Sequence, residues 1–382
     1  MIPYGRQSIS EEDVQAVVDV LRSDFLTQGP VVPAFERAVA ERSGASYAVA
    51  VNSATSALHV ACLAVGLGSG DWLWTVPNTF LASANCARFC GAHVGFVDIE
   101  PGTWNMSVDD LARRLEVANT HGLLPKVVVP VAFAGQSCDM QSIHALARRY
   151  GFAVIEDASH AVGGRYAGRP IGCGVFADIT VFSYHPVKIV TSAEGGMALT
   201  NDDRLATRMQ LFRSHGMTRD PGQMEGPSEG GWYYEQIELG YNYRMTELQA
   251  ALGLSQLQRL DAFVDQRHRI AQRYARLLED LPLQMQQPLA DAYSALHLFP
   301  ICLLDTSRRT AVYEALRSSG IGVNVHYIPV HLQPYYRRFG FAPGDFPCAE
   351  AYYAGAITLP MYPDLTETMQ DHVVLALREA LQ

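Results

Sequence analysis

Short apolar runs recur along the first half of the chain, at Tyr47–Val51, Trp74–Pro77, Val94–Ile99, Lys126–Phe133, Phe152–Ile155, Ile179–Ser183 and Met197–Thr200. Between them lie segments of helical spacing, such as Ala57–Val65. Strands that alternate with helices predict a mostly parallel α/β sheet. The unbroken run Lys126–Phe133 has the character of a strand covered on both faces. Ahead of the first run, Ser8 and Ser10 with Glu11, Glu12 and Asp13 offer a cap and first-turn acids to a helix carrying Val14, Val17, Val18 and Leu21. Thr27-Gln28-Gly29-Pro30 ends it. Met217–Tyr234 is rich in Gly, Pro and Glu and reads as a mobile loop. Glu247–Glu279 reads as one long helix bridging to a smaller domain. The pattern divides the chain into an arm and helix over 1–30, a large domain over 31–261 and a small α/β domain over 262–382.

Composition narrows the classes. Of 382 residues, 48% are hydrophobic and 18% charged, the balance of a well-buried globular enzyme. A formal net charge of -10 argues against nucleic acid as a general partner. The seven cysteines are scattered without a C-x-x-C pair, which suits a reducing, cytoplasmic setting and gives no metal site. Neither a signal-peptide core nor a membrane-length apolar run is visible.

Charge usage exposes the candidate chemistry. The chain has two lysines, Lys126 and Lys188, against twenty-seven arginines. Arginine stays charged at any working pH, whereas a desolvated lysine loses its proton and attacks carbonyls. Lys188 follows the run Ile179–Ser183, close to Ser183 and His185. The ordinary alternative is a lysine snorkelling from a strand end, and His185 alone carries no assigned role. Three further features accompany it. Asn52-Ser53-Ala54-Thr55-Ser56 sits between a strand and a helix, where free N–H groups make a phosphate site or simply an N-cap. Glu156-Asp157-Ala158-Ser159-His160 ends a strand, where a carboxylate can hold a proton on a heterocyclic nitrogen or form a cap or surface ion pair. Phe80 follows a strand and can stack on a flat ring or fill a core. A phosphate cradle, a carboxylate, a stacking ring and an isolated lysine meet the needs of pyridoxal 5′-phosphate.

These motifs resemble the DegT/DnrJ/EryC1/StrS family of sugar aminotransferases. The likeness runs from Tyr4 to near the C-terminus, through Leu26-Thr27-Gln28-Gly29, Asn52–Leu58, Glu156–His160, Ser183–Lys188 with Glu194-Gly195-Gly196, and Gly240–Gln249. The resemblance implies the fold type I (aspartate aminotransferase-like) architecture, a three-layer α/β/α large domain with a smaller α/β domain, paired as a homodimer. It implies that Lys188 carries the cofactor aldehyde, Asp157 holds the pyridine nitrogen and His160 lies beside the ring. It further implies that Ala54, Thr55 and Ser183 hold the phosphate and Phe80 stacks. Asn242 would reach a phosphate across the dimer interface, so that each site is shared. Substrate contacts would fall to Tyr4, to Asp24, Phe25, Leu26 and Thr27, and to Asn324, Val325, His326 and Tyr327. Ala132 departs from relatives that have His or Tyr there, which weakens a sugar contact at that position.

Phe133–Ser137, Arg213–Met217, Ala251–Gln256 and Val325–Pro329 are similar to the family branch serving pseudaminic acid biosynthesis. That branch implies amino transfer from L-glutamate, giving 2-oxoglutarate, to a UDP-linked 4-keto-6-deoxy-N-acetylhexose. The alternatives are another nucleotide-sugar 4-aminotransferase, such as a GDP-perosamine synthase type, a silent cofactor-binding regulator and a dehydratase. Retention of the lysine favours amino transfer over dehydration.

Overall fold

The computed structural model describes residues 1–382. Its central sheet has seven strands: β1 (Tyr47–Val51), β2 (Trp72–Thr75), β3 (His93–Phe96), β4 (Val127–Val129), β5 (Ala153–Asp157), β6 (Ile179–Ser183) and β7 (Gly196–Thr200). They lie in the order β1-β7-β6-β5-β4-β2-β3. Only β7 runs against its neighbours; the pairs from β6 to β3 are parallel.

Helices α1 (Glu11–Leu21), α2 (Val31–Ser43), α3 (Ala54–Ala64), α4 (Ala82–Phe89), α5 (Val108–His121), α6 (Met140–Tyr150), α7 (Asp203–Arg213) and α8 (Glu247–Leu257) belong to the part built around it, whereas α9 (Leu260–Leu277) reaches into the smaller part and α10 (Arg309–Ser318) lies within that part. Side chains alternate across a strand, and β1 accordingly feeds two cores. Val49 and Val51 join Leu58 of α3 and Met209 of α7 on one face. Ala48 and Ala50 join Phe35 of α2 and Ala250 of α8 on the other. Each buried Val, Leu or Phe contributes about 1.5–3 kcal/mol, and both faces are covered. This is the three-layer α/β/α arrangement.

Several element bounds differ from the sequence reading, for local reasons. The run Lys126–Phe133 yields only a short strand, because Pro130 lacks the N–H that would continue the ladder. The chain then makes one helical turn at Phe133–Gly135. Helix α3 starts at Ala54 rather than Ala57, since the Ser53 hydroxyl accepts from Ser56 N at 3.1 Å and caps it three residues earlier. The Gly/Pro-rich segment is closed at its base by pairing of Met217–Thr218 with Glu235–Gln236. The long helix is two helices, interrupted at Gln258 and Arg259. No Gly or Pro marks that break. It coincides with a convergence on the buried Asp13 carboxylate of α1, which accepts from Ser255 Oγ and Gln256 Nε2, each at 2.6 Å, and from Arg259.

Helix α9 spans two cores. Leu260, Phe263 and Val264 pack beneath the large sheet, while Ile270 and Tyr274 pack in a third core. That core covers an antiparallel sheet of Leu283–Met285, Phe299–Leu303 and Ala356–Leu359, with α10 and the helix Glu367–Ala380. Arg267 joins the parts. It is 1% exposed, and its Nη1 lies 3.1–3.2 Å from the carbonyl oxygens of Leu296, His297 and Met361. Burial lowers its pKa to about 10, so it stays charged at neutral pH. Arg267→Met leaves three carbonyls without this donor and should lower the unfolding free energy by about 3 kcal/mol. Denaturant titration checks this, and a loss below about 0.5 kcal/mol would contradict it.

Candidate active site

Parallel strands end together, and the cavity of interest opens beyond the carboxyl ends of β5 and β6. It has a volume of ≈ 820 Å³. Tyr4, Ala54, Thr55, Phe80, Asp157, His160, Ser183, Lys188, Asn324, Val325, His326 and Tyr327 all line it. Residues spread over more than 320 positions of sequence therefore meet at one place. Asp24, Phe25, Leu26, Thr27 and Asn242 do not line it within a single chain. Thr27 instead bridges to Thr246, and Glu247 N donates to Leu26 O at 3.1 Å, close to Asn242. Ala132 is buried in the core and stands away from the cavity.

One wall is the start of α3. Ala57 N bonds to Ser53 O and Ser56 N to the Ser53 hydroxyl, which leaves the N–H groups of Ala54 and Thr55 without protein acceptors. Two free donors at a helix N-terminus favour an anion. Gly196 makes this wall possible. A Cβ there would lie 2.4 Å from Ser53 O and 2.6 Å from Ala54 N, so only glycine lets β7 approach the turn. Ser183, opposite Gly196 in register, stands beside it at the end of β6.

The floor is the end of β5. Adjacent residues point to opposite faces, and Glu156 and Asp157 separate accordingly. Glu156 faces away, takes a hydrogen bond from Thr180 Oγ1 at 3.1 Å, and is pushed by burial to a pKa of about 7. Asp157 lines the cavity. It accepts from Ser83 Oγ at 2.6 Å and Ser159 N at 3.1 Å, and Ser83 is in turn 2.7 Å from Thr79 Oγ1.

Lys188 follows a tight turn in which its N–H donates to His185 O at 2.9 Å. Burial lowers its amine to a pKa of about 8, and the charge of Asp157 opposes the fall. Three imidazoles share the space. His160 meets the Tyr327 hydroxyl at 3.1 Å through Nε2, while its buried Nδ1 has no partner. Its ring lies 4.5 Å from that of His297. Burial and then Lys188 hold His160 and His297 well below the usual histidine range, and His326 is lowered to about 3. All three are neutral at physiological pH, which leaves Lys188 as the titrating cation of the pocket. His326 Nδ1 is fixed 2.8 Å from Thr358 Oγ1. His185 is half exposed, 4.0 Å from Glu194. Phe80 is 59% exposed at the rim, 6.3 Å from the Tyr327 ring, and is not a core residue.

Sequence reasoning missed Ser83 and His297. Ser83 sits in an unremarkable helical stretch, and His297 is a single histidine in an apolar run; neither carries a local signal. The donor set fits pyridoxal 5′-phosphate: unpaired amides for its phosphate, a carboxylate for its ring nitrogen, an orphan imidazole nitrogen and a desolvated amine.

The depressed pKa sets a pH dependence. The nucleophile is the neutral amine, about a tenth of the population at pH 7 and nine-tenths at pH 9 when the pKa is about 8. Labelling of Lys188 in the cofactor-free protein by a small aldehyde with cyanoborohydride should rise about tenfold between those values and then level off. A rate still climbing tenfold per unit above pH 9 would show an ordinary lysine.

Comparison with known proteins agrees with this geometry. The model of the DegT/DnrJ/EryC1/StrS aminotransferase family matches residues 7–378. The spore coat polysaccharide biosynthesis protein SpsC of Bacillus subtilis is 40% identical over 389 residues, covering 100% of this chain and 97% of that protein. Helicobacter pylori PseC, an aminotransferase of pseudaminic acid biosynthesis, superposes with a TM-score of 0.91 at 32% identity, over 100% of this chain and 99% of PseC. The sugar aminotransferase Spr1654 of Streptococcus pneumoniae, solved in PMP and PLP forms, does so at 0.90 and 0.89 with 28% identity, covering 100% of this chain and 99% or more of that one. The chain belongs to the DegT/DnrJ/EryC1/StrS aminotransferase family, uses pyridoxal 5′-phosphate and is a sugar aminotransferase.

Proposed function

We propose that the enzyme moves the amino group of L-glutamate to C4 of UDP-2-acetamido-2,6-dideoxy-β-L-arabino-hex-4-ulose. The products are 2-oxoglutarate and UDP-4-amino-4,6-dideoxy-N-acetyl-β-L-altrosamine, a step of pseudaminic acid biosynthesis. The observation that carries the chemistry is the meeting of the Lys188 amine, the Asp157 carboxylate and the open α3 N-terminus in one cavity. The choice of sugar is supported by the whole-chain likeness to PseC.

When bound, pyridoxal 5′-phosphate supplies an aldehyde that carries the amino group and a ring that takes up developing negative charge. Ala54 and Thr55 N–H, with Ser183, hold its phosphate. Asp157 keeps a proton on the ring nitrogen, with Ser83 and Ser159 N fixing the carboxylate's direction. His160 would lie beside the ring, and Phe80, exposed at the rim, would stack on it. Lys188, poised near pH 8, removes the α-proton of the amino donor and, in the second half-reaction, delivers a proton to the sugar C4. Tyr4, Asn324, Val325, His326 and Tyr327 line the remaining space for the nucleotide sugar.

Asp24–Thr27 and Asn242 act, in this reading, from a second copy of the chain. Val14 and Leu21 of α1, with Phe25 and Leu26, are 47–57% exposed, and a homodimer would cover this apolar surface while delivering Asn242 to the phosphate.

Mass spectrometry of products from UDP- and GDP-linked 4-keto-6-deoxy sugars with glutamate tests the substrate. The UDP N-acetyl sugar should gain an amine, and Lys188→Ala should lower that rate at least about 10³-fold. Preference for a GDP sugar, or loss of water without an amino donor, would contradict the reading. Asn242→Asp should weaken cofactor retention about tenfold by placing a carboxylate beside a phosphate. Unchanged affinity in an equilibrium dialysis would reject the cross-subunit contact.

A further inference from the structure

The outer edge of the sheet holds a second cavity, of ≈ 550 Å³, which shares no residue with the catalytic one. Trp72 and Trp74 of β2 belong to it, as does every residue of β3 from His93 to Phe96, so it runs along the edge strand of the sheet. That volume lies within the range of small-molecule sites.

Its walls are aromatic by construction. The Trp74 indole lies directly over Gly95 of the edge strand β3. A Cβ at Gly95 would come within 2.5 Å of Trp74 Cδ1 and 2.7 Å of its Nε1, so the glycine is what lets the indole form the floor. Trp72 stacks on His93 with centroids 4.9 Å apart and planes at 28°. Opposite them, Phe339, Phe341 and Phe346 come from the segment after α10.

The polar content is one-sided. Arg88, Arg113 and Arg114 line the cavity with His93 and His121, and no carboxylate does, in a chain whose net charge is -10. The Arg88 guanidinium lies 4.5 Å over the Phe339 ring, and that of Arg114 lies 5.0 Å over Phe346. Asp110 pairs with Arg113 and Arg114 from outside the lining. Arg88 pairs with no carboxylate: it donates to Ala92 O, and its buried Nε has no acceptor. A guanidinium over a ring face keeps its charge, and the N–H groups not already bonded, available to an anion. Apolar rings alone would suit any greasy ligand; rings together with an unneutralised guanidinium select one that is flat and negatively charged.

We propose that this cavity is a second ligand site, specific for a planar aromatic anion. Calorimetric titration of the holoenzyme with naphthalene-2-sulfonate tests it. Binding should saturate with a Kd below about 1 mM. Naphthalene-2-methanol, flat but neutral, should bind at least about tenfold more weakly. Arg88→Gln should weaken sulfonate binding by a similar factor of about ten while amino-transfer rate and cofactor absorbance stay at wild-type values. Phe339→Ala, at a 49% exposed position, provides an independent variant with the same expected loss. Absence of saturable binding overturns the proposal, as does an equal Kd for the neutral ring, which would mark a general hydrophobic or protein-docking face. Sulfonate binding unchanged in both variants overturns it too.

Discussion

The structure turns on partly desolvating one amine. Lys188 lines the cavity together with strand ends, neutral imidazoles and Tyr327, and desolvation takes its pKa to about 8. A cation in that position would resist losing its proton if a carboxylate paired with it closely. Asp157 raises the amine's pKa by less than burial lowers it, and its own oxygens are engaged by Ser83 and Ser159 N. In the function proposed above, the carboxylate is thereby kept for a different cation, the protonated ring nitrogen. Neutral His160, His297 and His326 complete the balance by adding no positive charge beside the amine.

The fold supplies this environment through topology. Parallel strands bring Asp157, Ser183 and the turn before α3 to a common edge, although these lie far apart in sequence. The reversed strand β7 then presses Gly196 against Ser53, which leaves the first amides of α3 open. Arg267 fixes the carbonyls of Leu296 and His297 from below, so His297 is set by a helix that spans two cores. Tyr4 arrives from the N-terminal arm, whose Ile2 and Tyr4 backbones bond to Gly320, Gly322 and Met361. The N-terminal arm and the segment Asn324–Tyr327 of the smaller part therefore contribute to one cavity.

What could be read from sequence followed this division. The α/β class and the four motifs were legible because period, turn residues and one isolated lysine are local signals. Twelve of the residues named for the site line the same cavity. The strand limits were less legible, since Pro130 cuts an apolar run whose hydrophobicity continues. The break before α9 could not be read, because it accompanies side chains gathering on Asp13, a contact 242 to 246 residues away in sequence. Ser83 and His297 were invisible for the same reason: their roles come from tertiary partners. Asp24–Thr27 and Asn242 carry motif signals, yet one chain holds them outside its own cavity.

With only Lys126 and Lys188 in the chain, the attachment point of the cofactor is directly measurable. Borohydride reduction of the holoenzyme, followed by peptide mass spectrometry, fixes the cofactor to whichever amine carries it. The phosphopyridoxyl group should appear on the peptide containing Lys188 and not on that containing Lys126. An adduct on Lys126, or a Lys188 peptide left unmodified in protein that retains its cofactor, would contradict this assignment.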